Sequence, residues 1–244
     1  MMQLALTKIR HLLGERAALR WITPFARIAD MRGADRVFSR IASGPDRGPI
    51  EDYLAEIRYA LVFAGLGFAV EVEPLGRKGP DLKVTRDAHE AVVEVTRFRE
   101  VYPGPPTSDL LDERPILTEY GNPPRDIKKA FQKMIAKLPQ LGSGHSILAI
   151  WNDDEDLEEL EVGEAVADLR DDAGQGLVAV PPGLLFVLYG SAWVRRAKQL
   201  HCFPVRKLDQ PYQTCWQREI ECSTVAELIN AALTQGSERD ARPT

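Results

Sequence analysis

The run Ala91 to Phe98, AVVEVTRF, constrains the fold more than any other stretch of the chain. It is nearly all apolar or β-branched, the composition of a central strand covered on both faces. Glu94 stands in the middle of it. A carboxylate there is costly to bury unless a cation pairs with it or a metal coordinates it. A divalent cation held between carboxylates is one such companion, and it is a common vehicle of phosphoryl chemistry. A half-exposed Glu94 paired with Lys83 or Arg97 is the other.

The residues before this strand set its neighbours. Leu54, Ile57, Leu61 and Ala64 recur at helical spacing, which predicts an amphipathic helix over 51–64. Gly65 and Gly67 stop it. Phe68, Val70 and Val72 alternate with Ala69, Glu71 and Glu73, the period of a strand. Residues 74–79 (PLGRKG) are turn chemistry. In the strand that follows, Asp81, Lys83 and Thr85 share one face and Leu82 and Val84 the other. Downstream, 123–139 (PPRDIKKAFQKMIAKLP) predicts a helix. Its apolar face is Ile127, Ala130, Phe131, Met134, Ile135 and Leu138, with Lys128, Lys129, Gln132, Lys133 and Lys137 around the rest. Ser146 to Trp151 (SILAIW) predicts a further central strand.

Helix with Glu56, strand, strand opening on Pro80-Asp81, strand with Glu94-Val95-Thr96, helix, strand: this order resembles the PD-(D/E)XK nuclease superfamily. Twelve residues separate Asp81 from Glu94. The resemblance covers about residues 50 to 151, and it departs from the motif at Thr96, where the family places a lysine that helps activate water. It implies an α/β fold of restriction-endonuclease type. An αβββαβ core would carry a mixed central sheet, with an N-terminal helical extension and a C-terminal strand and helix elaboration. It further implies that Glu56, Asp81 and Glu94, with the Val95 carbonyl, hold Mg²⁺ or Mn²⁺. The catalytic set would be Asp81, Glu94, Lys83 and Thr96. Lys133, Lys137 and Gln140 would meet the substrate, the KLPQL ending of 137–141 being similar to a K-x-x-Q-L feature of relatives.

The absent lysine has three candidate replacements: Lys83, on the Asp81 face; Lys133 or Lys137, from the helix; or none. Strand alternation alone favours Lys83. Thr96 carries no positive charge, though its hydroxyl can orient a water. Two function classes follow. One is a metal-dependent nuclease hydrolysing phosphodiester bonds, in DNA first. The other is a catalytically inactive relative that binds nucleic acid or a protein through the same scaffold. A homodimer is an arrangement many such enzymes use to cut both strands.

The rest of the chain frames these expectations. The 244 residues, 44% apolar and 27% charged, suit an ordinary globular protein, and a net charge of −5 excludes a generally basic nucleic-acid binder. The reading divides it into a helical extension and linker (1–48), the nuclease-like domain with its elaboration (49–235) and a disordered tail (236–244). In the extension Pro24 marks a break, with Thr23 as cap of a second helix. Its arginines (Arg16, Arg20, Arg27, Arg32, Arg36, Arg40) fall on no single stripe, so a solvated or packing face is preferred to a phosphate-binding one. Residues 43–49 (SGPDRGP) read as a linker.

Residues 99–122 are a long Pro-, Gly- and acid-rich loop beside the site, a substrate flap or an insertion. The acidic run 152–164 reads as a solvated loop and helix start, and Leu184 to Tyr189 as a fifth strand. Tyr212 and Trp216 among Arg206, Lys207 and Arg218 can stack on nucleotides or pack an edge, the latter preferred. Thr224 to Leu233 predicts a last helix capped by Ser223. Cys202, Cys215 and Cys222 lack metal-site spacing and suit free thiols in a reducing compartment. No apolar run spans a membrane and no secretory leader opens the chain, so the expectation is a cytoplasmic protein with no membrane partner.

Overall fold

The computed structural model describes residues 1–74, 79–87, 89–98, 123–142, 144–152, 157, 159–191 and 201–205. Among them are six α-helices and one six-stranded mixed sheet. Three helices open the chain: α1 (Met2–Leu13), α2 (Glu15–Ile28) and α3 (Ala34–Ser43). The long α4 (Arg47–Gly65) leads through Gly67, in the left-handed conformation, into β1 (Ala69–Val72), β2 (Leu82–Arg86) and β3 (His89–Phe98). Then come α5 (Pro123–Lys137), a 3₁₀ turn (Leu138–Gln140), β4 (Ser146–Asn152), α6 (Glu159–Gly174), β5 (Leu184–Ser191) and β6 (His201–Pro204).

The strands lie side by side in chain order. β1, β2 and β3 are antiparallel neighbours, β3, β4 and β5 are parallel, and β6 returns antiparallel. The parallel steps are the ones bridged by helices α5 and α6, as crossover geometry requires.

Alternation along the strands builds two cores. Ala91, Val93 and Val95 of β3, with Ile147 and Ala149 of β4 and Phe186 and Leu188 of β5, face the layer made by α1 to α4. Phe98, Leu148, Ile150, Val187 and Tyr189 face α5 and α6. β3 and β4 are therefore covered on both sides, as AVVEVTRF and SILAIW predict. Tyr59 of α4 reaches the sheet and donates its hydroxyl to the Ile150 carbonyl at 2.5 Å.

The N-terminal helices share the first core without a break: Ile9, Phe25, Phe38 and Ile41 belong to the same cluster as Ile57 and Val93. Their internal boundaries differ from the expectation. The break falls at Gly14, whose φ of 90° ends α1, while Pro24 lies inside α2. Proline there removes only one donor, the N–H that would meet the Arg20 carbonyl, and the packing of Trp21, Phe25 and Ile28 keeps the helix whole. Only Gly44 to Asp46 separate α3 from α4, and Pro49 sits in the first turn of α4.

The same helices close the edge of the sheet. The Arg32 carbonyl accepts the Val72 N–H at 2.8 Å, so the α2–α3 turn pairs with β1. Gly33 makes this approach possible, because a Cβ there would stand 1.8 Å from the Val72 oxygen.

Candidate active site

Two of the acids singled out by the sequence, Asp81 and Glu94, meet where β2 begins. Leu82 pairs with Val93, so Asp81 stands beside Glu94 on the neighbouring strand. The Asp81 carboxylate takes over the ladder at that point: its Oδ2 accepts the Val95 N–H at 2.7 Å. Glu94 and Thr96 are both buried on the face that α5 covers, two residues apart along β3. Glu56 comes from α4 and is also buried.

Lys137 supplies the cation. From the last turn of α5 its Nζ donates to Glu94 Oε1 at 2.6 Å and to Gln140 Oε1 at 3.2 Å. The 3₁₀ turn is what brings Gln140 back alongside Lys137. The other two lysines lie elsewhere. Lys83 pairs with Glu90, 2.6 Å away, because the antiparallel register sets it opposite Val92 and each step from Asp81 toward Lys83 leads away from Thr96. Alternation gave its face correctly but not its distance from Glu94. Lys133 lies 5.3 Å from the centre of the Phe98 ring, one helical turn before Lys137. Arg97 faces the opposite layer, bound to Asp52 and Glu51 at 2.9 and 2.8 Å. Neither Lys83 nor Arg97 is thus the partner of Glu94.

A fourth acid belongs to the group. Glu73 follows β1, is buried, and has a φ of 48°, the left-handed region that residues with a side chain seldom adopt. Its N–H donates to the Asp81 carbonyl at 2.6 Å and its carboxylate pairs with Arg40 of α3. The alternation of β1 placed Glu73 beside Glu71 on a polar face. The strand ends at Val72, and the backbone turn sends the side chain inward instead.

Burial raises all four carboxyls, and neighbouring acids add to it at Asp81 and Glu56. Burial raises the Asp81 carboxyl to about 7, with the Glu94 charge adding and the Val95 N–H and Lys137 opposing. Burial also raises Glu56 well above the ordinary carboxylate range; Asp81 and then Glu73 push it further, Arg40 draws it back, and Glu94 contributes least. Glu94 is raised by burial against the pull of Lys137, and Glu73 by burial against Arg40 and Arg36. Among the described residues, nothing donates a hydrogen bond to the buried Glu56 Oε2 or Glu94 Oε2. Such orphaned oxygens are hard donors of the kind Mg²⁺ and Mn²⁺ take. Among the described residues, however, no three His, Cys, Asp or Glu side chains stand grouped as a ready cage. Glu56 comes from the α4 layer and Glu94 from the face under α5, so the donors are adjacent without being gathered to one point.

The arginines of the N-terminal helices are largely spoken for. Arg32 and Arg36 pair with Glu71, Arg40 with Glu73, and Arg10 with Glu15. Cys202 is buried in β6. Cys215, Cys222, the 99–122 loop, the aromatic and basic set at 206–218, the 224–233 helix and the tail lie outside the described residues. No described helix is long and apolar enough to cross a membrane. Compared with known proteins, the chain matches no family model, no curated protein and no solved structure.

Proposed function

We propose that the chain is a metal-dependent nuclease of PD-(D/E)XK type, hydrolysing phosphodiester bonds, in DNA first, with Lys137 in the role of the absent motif lysine. The observation that carries this reading is the Lys137–Glu94 contact of 2.6 Å, made beside Asp81 at the start of β2. The order α4, β1, β2, β3, α5, β4, with two antiparallel steps and then a parallel one, supports the αβββαβ core. Asp81, Glu94 and Glu56 would hold Mg²⁺ or Mn²⁺, with the Val95 carbonyl nearby. The metal, when bound, supplies Lewis-acid activation of water and neutralises charge on the phosphoryl oxygens. Lys137, hydrogen-bonded to Glu94, lies within reach of whatever Glu94 holds and offers a fixed positive charge to the developing oxyanion. Gln140 orients that ammonium, and the Thr96 hydroxyl lies on the same face to orient a water. Lys129 and Lys133, both over Phe98, continue the basic line of α5 along which a phosphate backbone can run.

The second reading is an inactive relative that binds nucleic acid or a protein. Two observations favour it: Lys137 already neutralises Glu94, and no cage is assembled among the described residues. Calorimetric titration of Mn²⁺ and Mg²⁺ into wild type, Asp81→Ala and Glu94→Ala, with plasmid cleavage on the same samples, separates the readings. The nuclease loses both binding and cleavage in both variants. Metal binding without cleavage by the wild type supports the inactive relative, and no binding refutes the metal site.

A further inference from the structure

We propose that Arg40 of α3 is a positioning residue for the acid group, acting through Glu73; the inference rests on the nuclease reading for its purpose but not for its test. The path is continuous in the structure. The Arg40 guanidinium pairs with the Glu73 carboxylate, whose side chain is only 2% exposed. Glu73 keeps a left-handed backbone at φ 48°, a conformation that persists only where the surroundings hold it. Two contacts do so: the ion pair to Arg40, and the Glu73 N–H bonded to the Asp81 carbonyl at 2.6 Å. Asp81 in turn presents Oδ2 to the Val95 N–H at 2.7 Å, on the strand that carries Glu94.

Arg40 is itself anchored independently of the acids. It lies 5.9 Å from the centre of the Tyr53 ring, three residues before Glu56 on α4. The turn before α3 is seated on β1 by the Arg32–Val72 hydrogen bond and by the close approach at Gly33. Arg36, one helical turn before Arg40, points to the same strand end and meets Glu71 at 3.9 Å. The N-terminal helices therefore do more than cover the sheet: they fix the backbone that sets Asp81. A packing arm needs apolar contacts at this place. A half-buried guanidinium paired with a buried, strained acid that is bonded to the next acid is a device for placing it.

The Val95 amide reports on Asp81 without any metal, so amide hydrogen exchange by NMR tests the proposal in wild type, Arg40→Gln, Arg40→Lys and Glu73→Gln. Loss of the path in Arg40→Gln is expected to speed Val95 exchange about tenfold or more, while core amides of β4 stay within about threefold. Arg40→Lys, which keeps the charge, is expected to hold Val95 within about threefold of wild type. The proposal is overturned if Val95 exchange is unchanged in Arg40→Gln, or if β4 amides accelerate by the same factor, which is a plain loss of stability. Should Arg40→Gln fail to fold, Glu73→Gln decides on the same two criteria. Mn²⁺ calorimetry on these samples keeps the two ideas apart: a wild type that binds no Mn²⁺ refutes the metal site, while Val95 exchange still decides on Arg40.

Discussion

Replacing Asp81 by Asn is expected to flatten the pH dependence of stability in the metal-free protein. Burial, followed by the Glu94 charge, raises the Asp81 carboxyl from 3.8 to about 7, so the folded chain prefers the protonated form. A raised folded value means that the stabilisation is complete below the unfolded value and is lost as pH rises through the folded one. The window therefore runs from about pH 4 to about pH 8. A shift of about 3 units at about 1.4 kcal/mol each corresponds to about 4 kcal/mol, an upper figure. Asp81 and Glu94 titrate as a pair, which brings the share removed with Asp81 to about 2–4 kcal/mol. Asn is the right perturbation because its amide oxygen can still accept the Val95 N–H while it carries no charge. Urea unfolding at steps between about pH 5 and about pH 8.5, with chelator present, measures it. Wild type should lose about 1–3 kcal/mol more than Asp81→Asn across that range, which takes in about two thirds of the window. Parallel curves for the two proteins would refute the electrostatic account of the cluster.

Two other perturbations probe the frame that holds the site. Gly33→Ala puts a Cβ 1.8 Å from the Val72 oxygen at a φ of 89°, and should cost about 3 kcal/mol in chemical denaturation; a change under about 0.5 kcal/mol would contradict the close docking of the α2–α3 turn on β1. Arg97→Met keeps the volume of a buried side chain but removes its bonds to Glu51 and Asp52, which can turn toward water. Its expected cost is therefore about 1–3 kcal/mol by denaturation, with metal affinity unchanged; a loss of metal affinity would move Arg97 into the site.

The sequence carried what periodicity and local chemistry determine. The apolar run around Glu94, the alternation at Leu82 and Val84, and the Gly stops after α4 predict elements that the structure contains with boundaries shifted by a few residues. Pairing between distant segments was not legible. Face and register are separate quantities: alternation puts Lys83 on the Asp81 side, but only the strand register reveals that it moves away from Thr96 toward Glu90. Lys137 was one of four lysines on α5, and which one meets Glu94 depends on how that helix lies across the sheet. Glu73 was hidden for another reason, since a strand that ends one residue early reverses the face of the next side chain. The arginines of the extension showed no common stripe across its helices, and that Arg36 and Arg40, one turn apart on α3, meet Glu71 and Glu73 depends on a distant segment.

Plasmid cleavage in Mg²⁺ by wild type, Lys83→Ala and Lys137→Ala, with metal binding measured on each, tests the central claim most directly. The account predicts that Lys137→Ala still binds metal but cleaves about a hundredfold or more slowly, while Lys83→Ala cleaves within about threefold of wild type. Full cleavage by Lys137→Ala, or none by the wild type, would contradict it.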